Sequence, residues 1–220
     1  MRYWIGMLAL TCMALFAGCA MRQGNTALLN DKIAVSEKAE YYKVQLEALV
    51  RDSISAVPYT NWRQFRTAFF NCKLENPNNF GVSSKSSLDL MNARQGGYQV
   101  QYAKDAYDIL EHDYTSIAAH DELANNLSVY PKVREFHAAV RDALLKSIIN
   151  SGDGLTTETA MYVIGVAEEY EVLHAMGLVP ESQSLLQKGK RHYDVIKARD
   201  VTGAVRDVYF GIDEFYGMFY

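Results

Sequence analysis

Along the earlier part of this chain the apolar residues return every three or four positions; towards its end they return every two. Those are the periods of a helix face and of a strand face. Ala39, Tyr42, Leu46, Leu49 and Ser53 share one face, and Glu37, Lys38, Glu40, Lys43 and Glu47 cover much of the rest, which predicts a helix closed by Pro58. A second helix is expected to start at Thr60 or Asn61, both good N-caps. It carries the stripe Trp62, Phe65, Phe69 and Phe70, read as core, with Cys72 buried at its end. Asn76 to Gly81 reads as a loop and Ser86 to Ala93 as a short helix. Tyr98, Tyr102, Ala106 and Ile109 define a further face, and Asp113 is expected to cap a turn running through Ile117 to Leu123. Pro131 opens the plainest helix of the chain, with Val133, Phe136, Val140, Leu144 and Ile148 on one side. Helices joined by short loops predict antiparallel helix pairs, loosely tetratricopeptide-like, although no period of about 34 residues repeats.

The period changes at Asn150. Gly152 is expected to end the long helix in the left-handed region, with Asp153 and Gly154 continuing the turn. Thr159 to Val166 alternates with both faces apolar, the pattern of a buried strand. Glu168 to Met176 reads as a short helix capped by Gly177, with Tyr170, Leu173 and His174 on its inner side. Strands through Tyr193, Val195 and Lys197 and through Val205, Val208 and Phe210 flank a hairpin tip at Thr202 and Gly203. Ser184 to Gln187 is a candidate extension of the sheet, and Phe215 to Tyr220 a terminal turn. The expected class is α+β. A helical half over residues 30–150 precedes a strand-rich half over 151–220 packed on the helices, with a small three-stranded antiparallel sheet and one short helix. The stretch from Asn150 to Leu178 is the junction of the two.

The first residues change the picture of where this fold works. Arg2 precedes an apolar run from Trp4 to Phe16, shorter than the roughly 20 residues a membrane span needs. Ala17, Gly18 and Cys19 follow, which is the layout of a cleaved signal ending in a lipidated cysteine. The expectation is a signal peptide over 1–18, lipid on Cys19 and a polar tether over 19–29. Ala20 after the cysteine, with no Asp nearby, favours the periplasm-facing leaflet of the outer membrane. Two or more acyl chains on Cys19 suffice for lasting attachment. Cys12 leaves with the signal, so Cys72 is the one thiol remaining and no internal disulfide can form. Loss of Arg2 takes the formal net charge from −4 to −5, with charges of both signs interspersed. That balance excludes a nucleic-acid partner.

The segment Ser151-Gly152-Asp153-Gly154, then Glu168-Glu169-Tyr170, Gly177 and Tyr193-Asp194 resembles a domain-of-unknown-function family of secreted and lipoprotein envelope proteins of Gram-negative bacteria. The resemblance covers about the last 70 residues of the sequence. It implies a turn, a strand, an acidic helix ending in Gly and a Tyr-Asp strand, together with an envelope setting, and it implies no activity.

Candidate chemistry is sparse. A calcium loop built on Gly154 would place Ile149 and Ala160 at ligand positions, and a phosphate loop would need Lys where Leu155 stands. Asp153 is therefore expected to cap backbone amides. Glu168 and Glu169 stand where acids favour a helix dipole, the alternative being that one of them is a carboxylate of raised pKa. His112, Asp113, His120 and Asp121 are the best metal candidates, but the two histidines, eight residues apart, lack the spacing of helical metal motifs and would need a third ligand such as His137. No metal and no other cofactor is expected. Ser151 has no base nearby in sequence and no nucleophile elbow. The leading expectation is a non-catalytic outer-membrane lipoprotein that binds or scaffolds an envelope protein through helix pairs or a sheet edge. The competing one is an envelope hydrolase with its site between the two halves, using Asp153, Glu168, Glu169 and histidines. Fifteen tyrosines raise a third, glycan binding.

Overall fold

A computed structural model describes residues 37–75 and 99–219. The expected signal peptide, Cys19, the tether, the loop at Asn76 to Gly81, the short helix at Ser86 to Ala93 and Tyr220 lie outside the described residues. The chain divides into two compact units, one up to Ala139 and one from Val140. The division falls inside the long helix, ahead of Asn150.

The first unit is helical. Helix α1 (Glu37–Asp52) ends at Ser53, whose φ of 52° lies in the left-handed region. The helix thus stops before Pro58, which sits in a short 3-10 turn, Val57–Tyr59. Asn61 Oδ1 accepts the Gln64 N–H at 3.2 Å and so caps α2 (Trp62–Glu75). The aromatic stripe is core as expected: Trp62, Phe65, Phe69 and Phe70 are buried, and Tyr42 of α1 packs on Phe65 and Phe69 with centroids at 4.9 and 5.4 Å. Helix α3 (Gln99–His112) packs with α4 (Ile117–Asn125). The cap of α4 is Ser116, whose hydroxyl accepts the Ala119 N–H at 3.2 Å, and not Asp113, which folds a tight turn by accepting from Thr115. Helix α5 (Pro131–Ile149) follows the reading, with Phe136, Val140, Leu144 and Ile148 buried.

The second unit is built on a four-stranded sheet, not the expected three. Its strands are β1 (Met161–Tyr162), β2 (Val179–Lys188), β3 (Arg191–Arg199) and β4 (Val205–Gly211), in the order β1-β4-β3-β2. Strands β2, β3 and β4 are antiparallel, but β1 runs parallel to β4, so the sheet is mixed. The long strand expected over Thr159 to Val166 shrinks to two residues because Gly165 starts helix α6 (Val166–Ala175). Met161, Val163 and Ile164 are buried all the same, so their apolar run reports burial and not a ladder.

The Ser-Gly-Asp-Gly turn is tied to this sheet. Gly152 does not adopt the left-handed region; Gly154 does, at φ 70°. Gly152 is required for another reason: a Cβ there would stand 2.3 Å from the Thr159 carbonyl oxygen. Gly154 donates to the Thr159 carbonyl at 2.8 Å and accepts from Tyr209 N of β4 at 2.9 Å. Gly177 closes α6 in a Schellman arrangement, with Leu178 N–H on the Leu173 carbonyl at 2.8 Å. The chain ends in α7 (Tyr216–Phe219), where Tyr216 stacks on His192 at 3.6 Å and Phe215 is buried. No helix among the described residues is long and apolar enough to cross a membrane.

Candidate functional site

Side chains alternate faces along a strand, and on β3 one face is the core: Asp194, Ile196 and Ala198 are buried. Register places Asp194 opposite Phe210 and Ile196 opposite Val208 on β4. Asp194 is therefore a carboxylate on an otherwise apolar face. Helix α6 supplies more acids from its first turns, with Glu168, Glu169 and Glu171 all buried. Charged side chains are rarely buried without partners, so each needs an account.

Glu168 has a local one. Its Oε2 accepts the Ile164 N–H at 2.9 Å, reaching back across the helix start as the acidic half of a capping box does. Gly165 at the N-cap has no side chain to offer, which leaves that task to Glu168. Asp194 Oδ2 accepts from Gln183 Nε2 of β2 at 2.7 Å, and Gln183 Oε1 accepts from the Tyr170 hydroxyl at 3.0 Å. A polar chain thus runs from the surface at Tyr170 through Gln183 to a buried carboxyl.

Glu169 lies behind that chain, with no exposed surface. Burial first, then the Asp194 carboxylate and the hydrogen bond to it, then Glu168, push its carboxyl up to about 9. Neither Glu169 oxygen nor Asp194 Oδ1 has a partner in ordinary hydrogen-bond geometry. With its carboxyl raised that far by burial and by the neighbouring Asp194, Glu169 holds its proton at neutral pH. Such a pair can hold or give up a proton. Glu169 has no surface from which to give it directly to a bound molecule.

The remaining residues of the sequence motif are spread around this pair. Ser151 Oγ donates to the Ile148 carbonyl and accepts the Tyr162 N–H at 2.8 Å. Asp153 Oδ1 accepts the Leu155 N–H at 2.9 Å and the Thr159 hydroxyl, contacts that hold its carboxyl below the usual range. Tyr193 is buried beside Asp194 in β3. His174, expected inward, is exposed.

The histidines arrange themselves differently from the sequence pairing. His120 and His137 meet inside the first unit with Nδ1 to Nδ1 at 2.8 Å, and His120 Nε2 faces the Tyr114 carbonyl at 3.1 Å. His120 therefore carries its proton on Nε2 and accepts from His137 Nδ1–H. Burial lowers His120 to about 4 despite that carbonyl; burial and then His120 lower His137 well below its ordinary range. His112 joins Asp108 and Glu111 instead, with ligand atoms all within 4.8 Å of one another.

Sequence reasoning missed Gln183 and Glu171, and it offered His137 only as a third metal ligand and not as the direct hydrogen-bond partner of His120. The hairpin register would have brought Gln183 diagonal to Asp194. Nothing in sequence spacing links two histidines on separate helices.

Fold and site together define a mixed α+β protein with an acid pair under its sheet. The chain belongs to the family described as a domain of unknown function, DUF4919, whose model matches residues 99–217, more than half of its length. No curated protein matches it, and no solved structure does.

Proposed function

We propose that this protein is a lipid-anchored envelope protein, held by Cys19 at the periplasmic face of the outer membrane, that binds an extended segment of a protein partner along strand β2. The observation that carries the reading is the exposure of β2: it is an edge strand, and all ten of its residues are exposed. Edge strands offer a row of unpaired backbone groups and are normally blunted by charge, Pro or bulges. Here Pro180, the bulge beside it and Glu181 guard one end, and Lys188 the other. Gln183, Ser184, Leu185, Leu186 and Gln187 between them carry no charge, and Leu185 and Leu186 are exposed by 43% and 38%. An uncharged, apolar-studded edge suits strand addition by a partner. The anchor rests on the apolar run and the Ala17-Gly18-Cys19 end of the first residues.

The test is co-isolation from envelope extract. The lipidated wild type is expected to bring down a partner that a Leu185→Lys, Leu186→Lys double variant does not, with unchanged melting. Equal recovery from both, or recovery of the protein alone from both, contradicts the reading. Replacing Cys19 with Ala should release the protein from the membrane fraction.

A second reading, an envelope hydrolase, draws support from the raised carboxyl of Glu169 beside Asp194. The complete burial of Glu169 weighs against it.

A further inference from the structure

Helix α3 turns Ala103, Ala106, Ile109 and Leu110 into the core. Its last turn therefore presents Asp108, Glu111 and His112 towards the outside, with Asp108 and His112 half-buried and Glu111 exposed. Residues three and four apart stack on one helix face, and Asp108-x-x-Glu111-His112 uses both spacings from a single starting residue. The three side chains offer one imidazole nitrogen and two carboxylate oxygens, with all ligand atoms inside 4.8 Å. It is the one grouping of this kind among the described residues.

We infer that Asp108, Glu111 and His112 form a binding site for a divalent transition metal of the zinc type. Zinc takes imidazole nitrogen and carboxylate oxygen at about 2.0–2.2 Å, which sets tetrahedral ligands roughly 3.4 Å apart. Reaching that spacing from separations within 4.8 Å takes rotation of the three side chains towards a common point. A purely oxygen-seeking ion such as calcium or magnesium would draw little from the imidazole. The local electrostatics agree. Two carboxylates three residues apart on one helix repel one another. The negative end of the helix dipole, at the last turn of α3, favours a cation there. Three protein ligands leave a fourth position for water or for a ligand atom from elsewhere. The site belongs to the first unit and the acid pair to the second, and the site does not depend on the proposed partner.

The sequence reading set His112 beside His120 as the nearest approach to a metal pair. His120 is unsuited to it: both its ring nitrogens are engaged, with His137 and with the Tyr114 carbonyl.

The full-length protein, stripped with chelator, is to be titrated with zinc chloride by calorimetry at neutral pH. A single saturable equivalent is expected. Loss of an outer-shell partner alone weakens metal sites roughly 10–100-fold, so Asp108→Asn and His112→Ala should each weaken binding by roughly tenfold or more. His174→Ala, which removes an exposed histidine, should leave it unchanged. Asp108→Asn keeps the shape of the side chain, so the test stands even if His112→Ala melts early. No saturable binding, or binding that survives both ligand variants, overturns the proposal.

Discussion

Glu169 is protonated where almost any other glutamate would be ionised, and the consequence has a sign. The folded chain keeps a proton that the unfolded chain loses above its ordinary value of 4.5, until the folded value of about 9 is reached. Stability therefore falls as pH rises through that window, by at most about 1.4 kcal/mol per pH unit. Glu169→Gln removes the titration and can still donate to Asp194. It is expected to raise the melting temperature at pH 8 by roughly 4 °C or more, and much less at pH 5. Equal melting shifts at both values would contradict a protonated Glu169. The buried histidines carry the opposite sign. His120 falls from 6.5 unfolded to about 4 folded, and His137 is lowered as well. Their contribution is intact above 6.5 and lost as pH falls towards 4. Thermal melts between those values should show it, and the slope should flatten in His120→Gln.

At the scale of elements, what was legible in the sequence was what local chemistry dictates. Pro131 and the spacing of Phe136, Val140, Leu144 and Ile148 give α5 its start and its buried face; Gly177 gives α6 its end. The hairpin turn at Thr202 and Gly203, between the end of β3 at Arg199 and the start of β4 at Val205, was legible for the same reason. What escaped the sequence depends on partners far along the chain. The apolar run at Met161 to Ile164 looks the same whether it makes a ladder or only a buried crossing, and its parallel pairing with β4 spans about 50 residues. The candidate site was half legible: Glu168, Glu169 and Asp194 stood out as a motif, but their burial together under the sheet follows from register. Gly152 shows the difference well. It reads as a helix cap, yet what forbids a side chain is the backbone of Thr159 and Ala160. Gly152→Ala should therefore destabilise the protein by about 1–3 kcal/mol in denaturant melts, whereas Gly217→Ala, with open space around it, should cost far less.

For the molecule as a whole, the histidine pair of the first unit and Glu169 of the second are expected to give pH dependences of opposite sign, the first weakened by acid and the second by alkali. Both features lie within the residues matched by DUF4919. Among the described residues, the uncharged middle of β2 is an exposed edge of the kind that ordinary sheets protect. The central claim is that β2 takes a partner strand in the envelope. The direct measurement is photo-crosslinking in intact cells from a reactive group placed at Leu185, with Leu127, an exposed residue of the first unit, as the control. The account predicts a discrete adduct from Leu185, absent from Leu127 and lost when Ser184 is replaced by Pro. No adduct from Leu185, or the same adducts from Leu127, would contradict it.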